Sequence, residues 1–140
     1  MMELPQSLHE RFVQRGSILH SEIFDDIGHG KFFAVIGVSD HMIAGFFFVN
    51  SRIHPAIQKK PEQFAMQYLL RKKDYDFLKY DSFLSATEII KLPVSRLAET
   101  IADGRTVYAG SLTEDDLTAI LEACRTSDLF RPSDKRKFFY

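Results

Sequence analysis

The sequence predicts a mainly β fold with helix, of the α+β class: a small antiparallel β-barrel with an amphipathic helix packed on it near the C-terminal end. Three observations carry that reading. Two long β-prone runs are joined by a turn signal, glycines interrupt those runs where a small sheet has to curl, and a capped helical stripe follows late in the chain. The 140 residues suffice for one hydrophobic core and are too few for two, so a single domain over residues 1–140 is expected. A hydrophobic fraction of 45%, with 13% aromatic, supplies the apolar material for that core.

The first elements are modest. Leu8 to Val13 fits a short leading helix, and Gly16-Ser17 opens the mixed apolar and polar run Ile18 to Phe24, which suits an edge strand. Asp25 to Gly30 reads as a loop, in which two glycines around His29 leave the backbone free and the imidazole outward. The β-prone runs come next, Lys31 to Val38 and Met42 to Val49, separated by Ser39-Asp40-His41, and a hairpin follows from them. Their near-continuous hydrophobicity indicates central strands covered on both faces, and Gly37 and Gly45 mark bends or bulges.

Pro55 and Pro61 bracket a segment too interrupted for a long helix. From Phe64 to Leu70 the large side chains recur at every second residue, so a strand is expected there. Ser82 to Lys91 fits a strand pair or one bent strand, which Pro93 stops. Val94 to Ile101 reads as a short helix, Asp103-Gly104 as a turn, and Arg105 to Gly110 as a last strand. Thr113 then caps a helix whose third position is Asp116 and whose apolar face is Leu117, Ile120, Leu121 and Cys124. The tail from about Ser127, with a basic triplet and Phe138-Phe139-Tyr140, is open to two readings, a mobile segment or one that docks on a partner.

Charge and cysteine content narrow the function. A formal net charge of −1 argues against nucleic acid gripped over the whole surface, although Lys59-Lys60, Arg71-Lys72-Lys73 and Lys135-Arg136-Lys137 leave room for a local basic groove. Cys124 is the only cysteine, which excludes an internal disulfide and thiolate metal clusters, and it is expected in the core. His20 and His41 have no partner spacing that suggests a metal, so neither a metal nor a cofactor is assigned. No window approaches the ~20 apolar residues that span a bilayer, and the expectation is a cytoplasmic protein without membrane contact.

The order of elements resembles the PemK/MazF-like toxin family, small SH3-like barrels of toxin-antitoxin pairs that cut RNA. Gly16-Ser17-Ile18-Leu19 is similar to the family's opening strand, and Gly30-Lys31-Phe32-Phe33-Ala34-Val35-Ile36-Gly37 to the loop and strand that follow. Asn50-Ser51 stands where the family places Ser or Thr, and Asp81 to Ile90 resembles its late strand. Gly110-Ser111-Leu112-Thr113-Glu114-Asp115-Asp116-Leu117 resembles its turn into the last helix. The resemblance implies an endoribonuclease of the mRNA interferase type, a homodimer, and an antitoxin partner. Phe32-Phe33 stand where the family pattern carries arginine and proline, which leaves Lys31 as the nearest cation.

Metal-independent RNA cleavage needs a base, positive charge at phosphorus and an acid for the leaving oxygen. His29, Lys31, Ser51 and Arg52 are therefore the candidate catalytic residues, with His54 and Asp81 as candidate substrate-binding residues on single-stranded RNA. Asp81 and Glu88 are read as carboxylates able to orient a base or pair with Arg52. Of Phe46, Phe47 and Phe48, a run that must face both sides of a sheet, most is expected in the core. The alternative function is a non-catalytic barrel module that binds a protein or RNA partner.

Overall fold

The computed structural model describes residues 14–23, 30–49 and 59–140. Seven antiparallel strands form one sheet: β1 (Ser17–Ser21), β2 (Lys31–Ser39), β3 (Met42–Val49), β4 (Gln67–Leu70), β5 (Ser82–Ser85), β6 (Ile90–Pro93) and β7 (Thr106–Ser111). Among the described residues the helices are α1 (Pro61–Ala65), α2 (Val94–Ala102), α3 (Glu114–Thr126) and α4 (Pro132–Phe138), with a 3-10 turn at Lys72–Asp74. The fold is α+β with its capped helix late in the chain, as the sequence indicates. The expected leading helix at Leu8 to Val13 lies outside the described residues.

The central hairpin forms at the expected place. Ser39 pairs with Met42 across a two-residue turn in which Asp40 and His41 both take positive φ, at 52° and 64°, matching the right-handed twist of the strands. Side chains then alternate between two cores. Ala34, Ile36, Ala44 and Phe46 face the larger one, with Leu70, Leu84 and the α3 residues Ile120, Leu121 and Cys124. Phe33, Val35 and Ile43 face a smaller one, closed by Leu92 and by Leu97 of α2. Both faces of the hairpin are covered, which is why its sequence is almost uninterruptedly apolar. Burial pushes the Cys124 thiol up to about 12, so it stays neutral inside the core.

The strand order is β4-β5-β3-β2-β1-β7, with β6 also on β3, and the sheet is not closed into a barrel. This corrects one part of the expected architecture. β4, at one end of that order, is tied by side chains to α3, the helix that follows β7 at the other end. Tyr68 of β4 donates its hydroxyl to Asp116 at 2.9 Å, and Tyr75 donates to the other carboxylate oxygen. Thr113 accepts the Asp116 amide at 3.2 Å, so α3 has its expected N-cap, while the Asp116 carboxylate is spent on the two tyrosines. Burial and the hydrogen bond to Asp116 raise both phenols to about 12.

Other expectations are corrected by pairing. The first strand is not an edge: β1 lies between β2 and β7, and Ser17 and Ser21 are buried with its apolar residues. A hydroxyl chain makes this tolerable, since Ser21 bonds Thr106 at 2.6 Å, Thr106 donates to Thr100 at 2.8 Å, and Thr100 donates to the Leu97 carbonyl at 3.0 Å. The alternation from Phe64 is strand only from Gln67. Phe64 sits in α1, where Pro61 starts a short helix, and is exposed. Ser82 to Lys91 becomes two strands that pair with β3 and not with each other.

The tail is part of the core. Phe130, Phe138 and Phe139 are buried, and Phe46 packs with Phe130 and Phe139 at ring separations of 5.7 and 6.3 Å. Three aromatic rings on a short chain end hold more apolar surface than solvent would tolerate. Its backbone is held as well: Arg15 donates to the carbonyls of Ile36, Phe138 and Tyr140 at 2.7, 2.9 and 3.1 Å, and Arg125 donates to that of Phe139. Burial and the neighbouring Arg125 pull the Arg15 guanidinium below its ordinary value. Lys91 of β6 adds an ion pair to Asp134 of α4 at 2.7 Å.

Two outcomes follow from this packing. Phe139→Ala should destabilise the fold by about 3–5 kcal/mol, the cost of emptying a core aromatic site, measured by chemical denaturation; a change near zero would mean the tail is not core. Tyr68 and Tyr75 should ionise last on alkaline titration of tyrosinate absorbance, near 12. An unfolded phenol loses its proton near ~10. The stabilisation is thus complete below that pH and lost as pH rises from there through about 12. Asp116→Asn should lower the titration of both tyrosines.

Candidate functional site

The cleft arises where β3 changes partner. Its first half, Met42 to Gly45, pairs with β6, and its last two residues, Phe48 and Val49, pair with β5. Between the end of β5 at Ser85 and the start of β6 at Ile90 the chain has no ladder to follow and loops away. The resulting cavity has a volume of about 730 Å³. Phe47, Phe48 and Phe77 are among its apolar lining, and Lys31, Lys79, His20 and Glu88 among its polar lining.

Lys31 enters from the first position of β2, exposed, with its ammonium 5.0 Å from the centre of the Phe47 ring. That distance is a cation–π contact, which holds the charge at the cleft wall without neutralising it. His20 enters from the neighbouring strand. It stands opposite Phe32 in the β1–β2 ladder, and its ring meets that of Phe32 edge-on at 4.8 Å. Gly30 makes room for it. At φ +77° this residue adopts a conformation that side chains disfavour, and a Cβ there would lie 2.9 Å from His20 Nε2 and closer still to Cε1.

Phe32 packs on Phe77 and Phe48 at 4.9 and 5.9 Å, so the position where the resembled family carries arginine is filled by an aromatic cluster. Tyr80 is exposed and lines the same cavity as Phe77. Ser85, Thr87 and Glu88 form the wall on the β5–β6 connection. Gln67 donates its amide to Ser85 Oγ at 3.0 Å, and Ser85 Oγ lies 3.3 Å from Thr87 Oγ1.

Of the residues singled out from the sequence, Lys31 and Glu88 line the cleft. Asp81 is exposed and not among the lining residues, and its carboxylate accepts the Lys72 amide at 2.8 Å, a bond that ties the 3-10 turn to the start of β5. His29, Ser51, Arg52 and His54 lie outside the described residues. His20 is the cleft residue that the sequence reading passed over as a metal ligand without a partner. Its signal is a strand register: one residue of β1–β2 pairing separates it from the position opposite Lys31, and no linear motif records that.

A second, smaller notch is lined by Tyr68, Arg71, Asp74 and Asp116, the side-chain clamp that joins β4 to α3. Among the described residues no three His, Cys, Asp or Glu side chains gather as a metal site would require, and no helix is long and apolar enough to cross a membrane. Compared with known proteins, the chain matches no family model and no curated sequence.

Gly30→Ala should displace the His20 imidazole from the cleft wall while leaving the sheet intact. Proton NMR should show the His20 ring signals losing the ring-current shift conferred by Phe32, with the amide pattern of β2 preserved. Unchanged His20 signals would mean that the glycine does not hold the ring in place.

Proposed function

We propose that the cleft binds single-stranded RNA and cleaves it without a metal, as a toxin-like endoribonuclease of the PemK/MazF type in the cytoplasm. The observation that supports this best is the presence of His20 and Lys31, from two different strands, in one cavity with several aromatic rings. Aromatic faces accept unstacked bases, and cations accept the phosphates between them. An imidazole takes and returns a proton near neutral pH.

In this reading His20 takes the proton of a ribose 2′-hydroxyl. The O2′–P bond forms as the P–O5′ bond breaks, and the imidazolium returns the proton to the departing O5′. The products are a 2′,3′-cyclic phosphate and a free 5′-hydroxyl. Lys31 and Lys79 offset the charge that builds on the phosphoryl oxygens. The homodimer and the antitoxin partner rest on the sequence resemblance alone.

One observation favours the second reading, a non-catalytic module that binds RNA or protein. Phe32 packs against Phe48 and Phe77 where the resembled family has its arginine, so a guanidinium's bidentate grip on phosphate is missing from that position.

Purified protein with EDTA should cut a single-stranded RNA and leave its 2′-deoxy counterpart whole. His20→Ala and Lys31→Ala should each slow the reaction roughly 100-fold or more, the usual cost of losing an acid–base group or one charged donor. RNA that is bound but left intact moves the protein to the second reading. RNA that is neither bound nor cut removes this cleft from consideration as an RNA site.

A further inference from the structure

We infer that Arg131 and Lys137, in the C-terminal segment, hold phosphates of a single-stranded RNA where it leaves the cleft across β6, an inference that rests on the RNA reading above. Charge singles out this surface. From Arg125 to Tyr140 the chain carries five Lys or Arg against two Asp, in a protein whose formal net charge is −1. That surplus is larger than the residues outside the described ones could cancel, since they hold four Asp or Glu against two Arg. The other basic clusters are diluted: Asp74, Asp76 and Asp81 follow Arg71-Lys72-Lys73 closely, and Glu62 follows Lys59-Lys60. A cationic surface of this kind suits a polyanion.

Strand β6 connects the surface to the cleft. Its first residue, Ile90, lines the cavity, and the next, Lys91, donates to Asp134 of α4 at 2.7 Å. One strand is thus both a wall of the cleft and the seat of α4. The ion pair also neutralises Asp134, the only carboxylate in α4, so a phosphate passing there meets cations. Helical spacing selects which ones. Asp134 and Phe138, four residues apart, both meet Lys91, the ring at 6.0 Å, and this fixes the side of α4 turned to β6. Lys137, three residues after Asp134, borders that side, and so does Arg131, three before it at the N-cap; both are exposed. Arg136, two residues from Asp134 and two from Phe138, lies on the far side. Buried Phe138 and Phe139, with the bonds from Arg15 and Arg125 to the tail carbonyls, hold the segment in place, so binding has little backbone left to order.

The test uses fluorescence anisotropy with the full chain and oligouridines of about four and about twelve nucleotides, within the span over which single-strand sites fall. Sugars are 2′-fluoro throughout, so that none can be cut. The longer RNA should lose affinity more steeply with salt, because it alone reaches from the cleft to α4. Arg131→Ala and Lys137→Ala should each reduce its slope of log affinity on log salt by about 0.7, the counterion release of one phosphate contact on a single strand, and leave the shorter RNA unaffected. Arg136→Ala should change neither slope, since a Debye length of ~8 Å at physiological salt screens a cation on the far side of the helix. Equal slopes for the two RNAs, a slope that survives either substitution, or a loss in Arg136→Ala as large as in the other two overturns the α4 contact and leaves RNA binding by the cleft standing. Failure to bind either RNA overturns both.

Discussion

The close approach of β3 to β2 at Gly45 is the constraint on which the rest of the molecule depends. A side chain at this position would run into the carbonyl of Ala34 and sit 2.7 Å from the Phe33 ring. The register of the two strands also shifts between Val35 and Gly37, which adds twist to the ladder. The extra residue, Ile36, lies on β2 and bends the ladder that β3 follows. The other edge of β3 is shared, with β6 on the turn-proximal half and β5 on the far end. The cleft is the space left at the changeover, so the candidate site is a by-product of the bend that makes a compact sheet from this hairpin.

A sheet curled this far but left open has to protect its ends. Here the work is divided between a polar clamp and an apolar plug. The Asp116 carboxylate receives two phenol hydroxyls from the β4 side, which fixes the start of α3 against the far end of the sheet. The C-terminal aromatics fill the core from another direction, and the backbone of Phe138 passes over Gly37, where a Cβ would collide with it. Buried tyrosine hydroxyls need partners, and a single carboxylate that accepts both is more economical than two separate ones.

Much of the fold was legible because it depends on local chemistry. The Lys31 to Val49 hairpin, the helix from Val94 and the capped helix after Thr113 all follow from periodicity, turn residues and a capping side chain, which act over a few residues. The boundaries that moved were those set by distant contacts. Phe64 alternates in sequence like a strand residue, yet Pro61 starts a helix and β5 offers a partner only from Gln67 onward. Ile18 to Ser21 looked like an edge because serine and histidine alternate with aliphatics. Ser21 is buried at no polar cost because Thr106 on another strand hydrogen-bonds it, and Thr106 in turn donates to Thr100 on a helix.

The sequence by itself determined the α+β class, the antiparallel hairpin and its glycine bends, the N-cap of the late helix and the presence of Lys31 at a strand mouth, because each is encoded within one or two turns of chain. Tertiary structure alone decided that the sheet stays open, that the tail is core, and that His20, Lys31, Thr87 and Glu88 share one cavity. Those outcomes rest on strand register and on which of two partners β3 adopts at each point. Register is a property of pairs of segments far apart in sequence, fixed by the summed burial of both cores, and no single segment carries it.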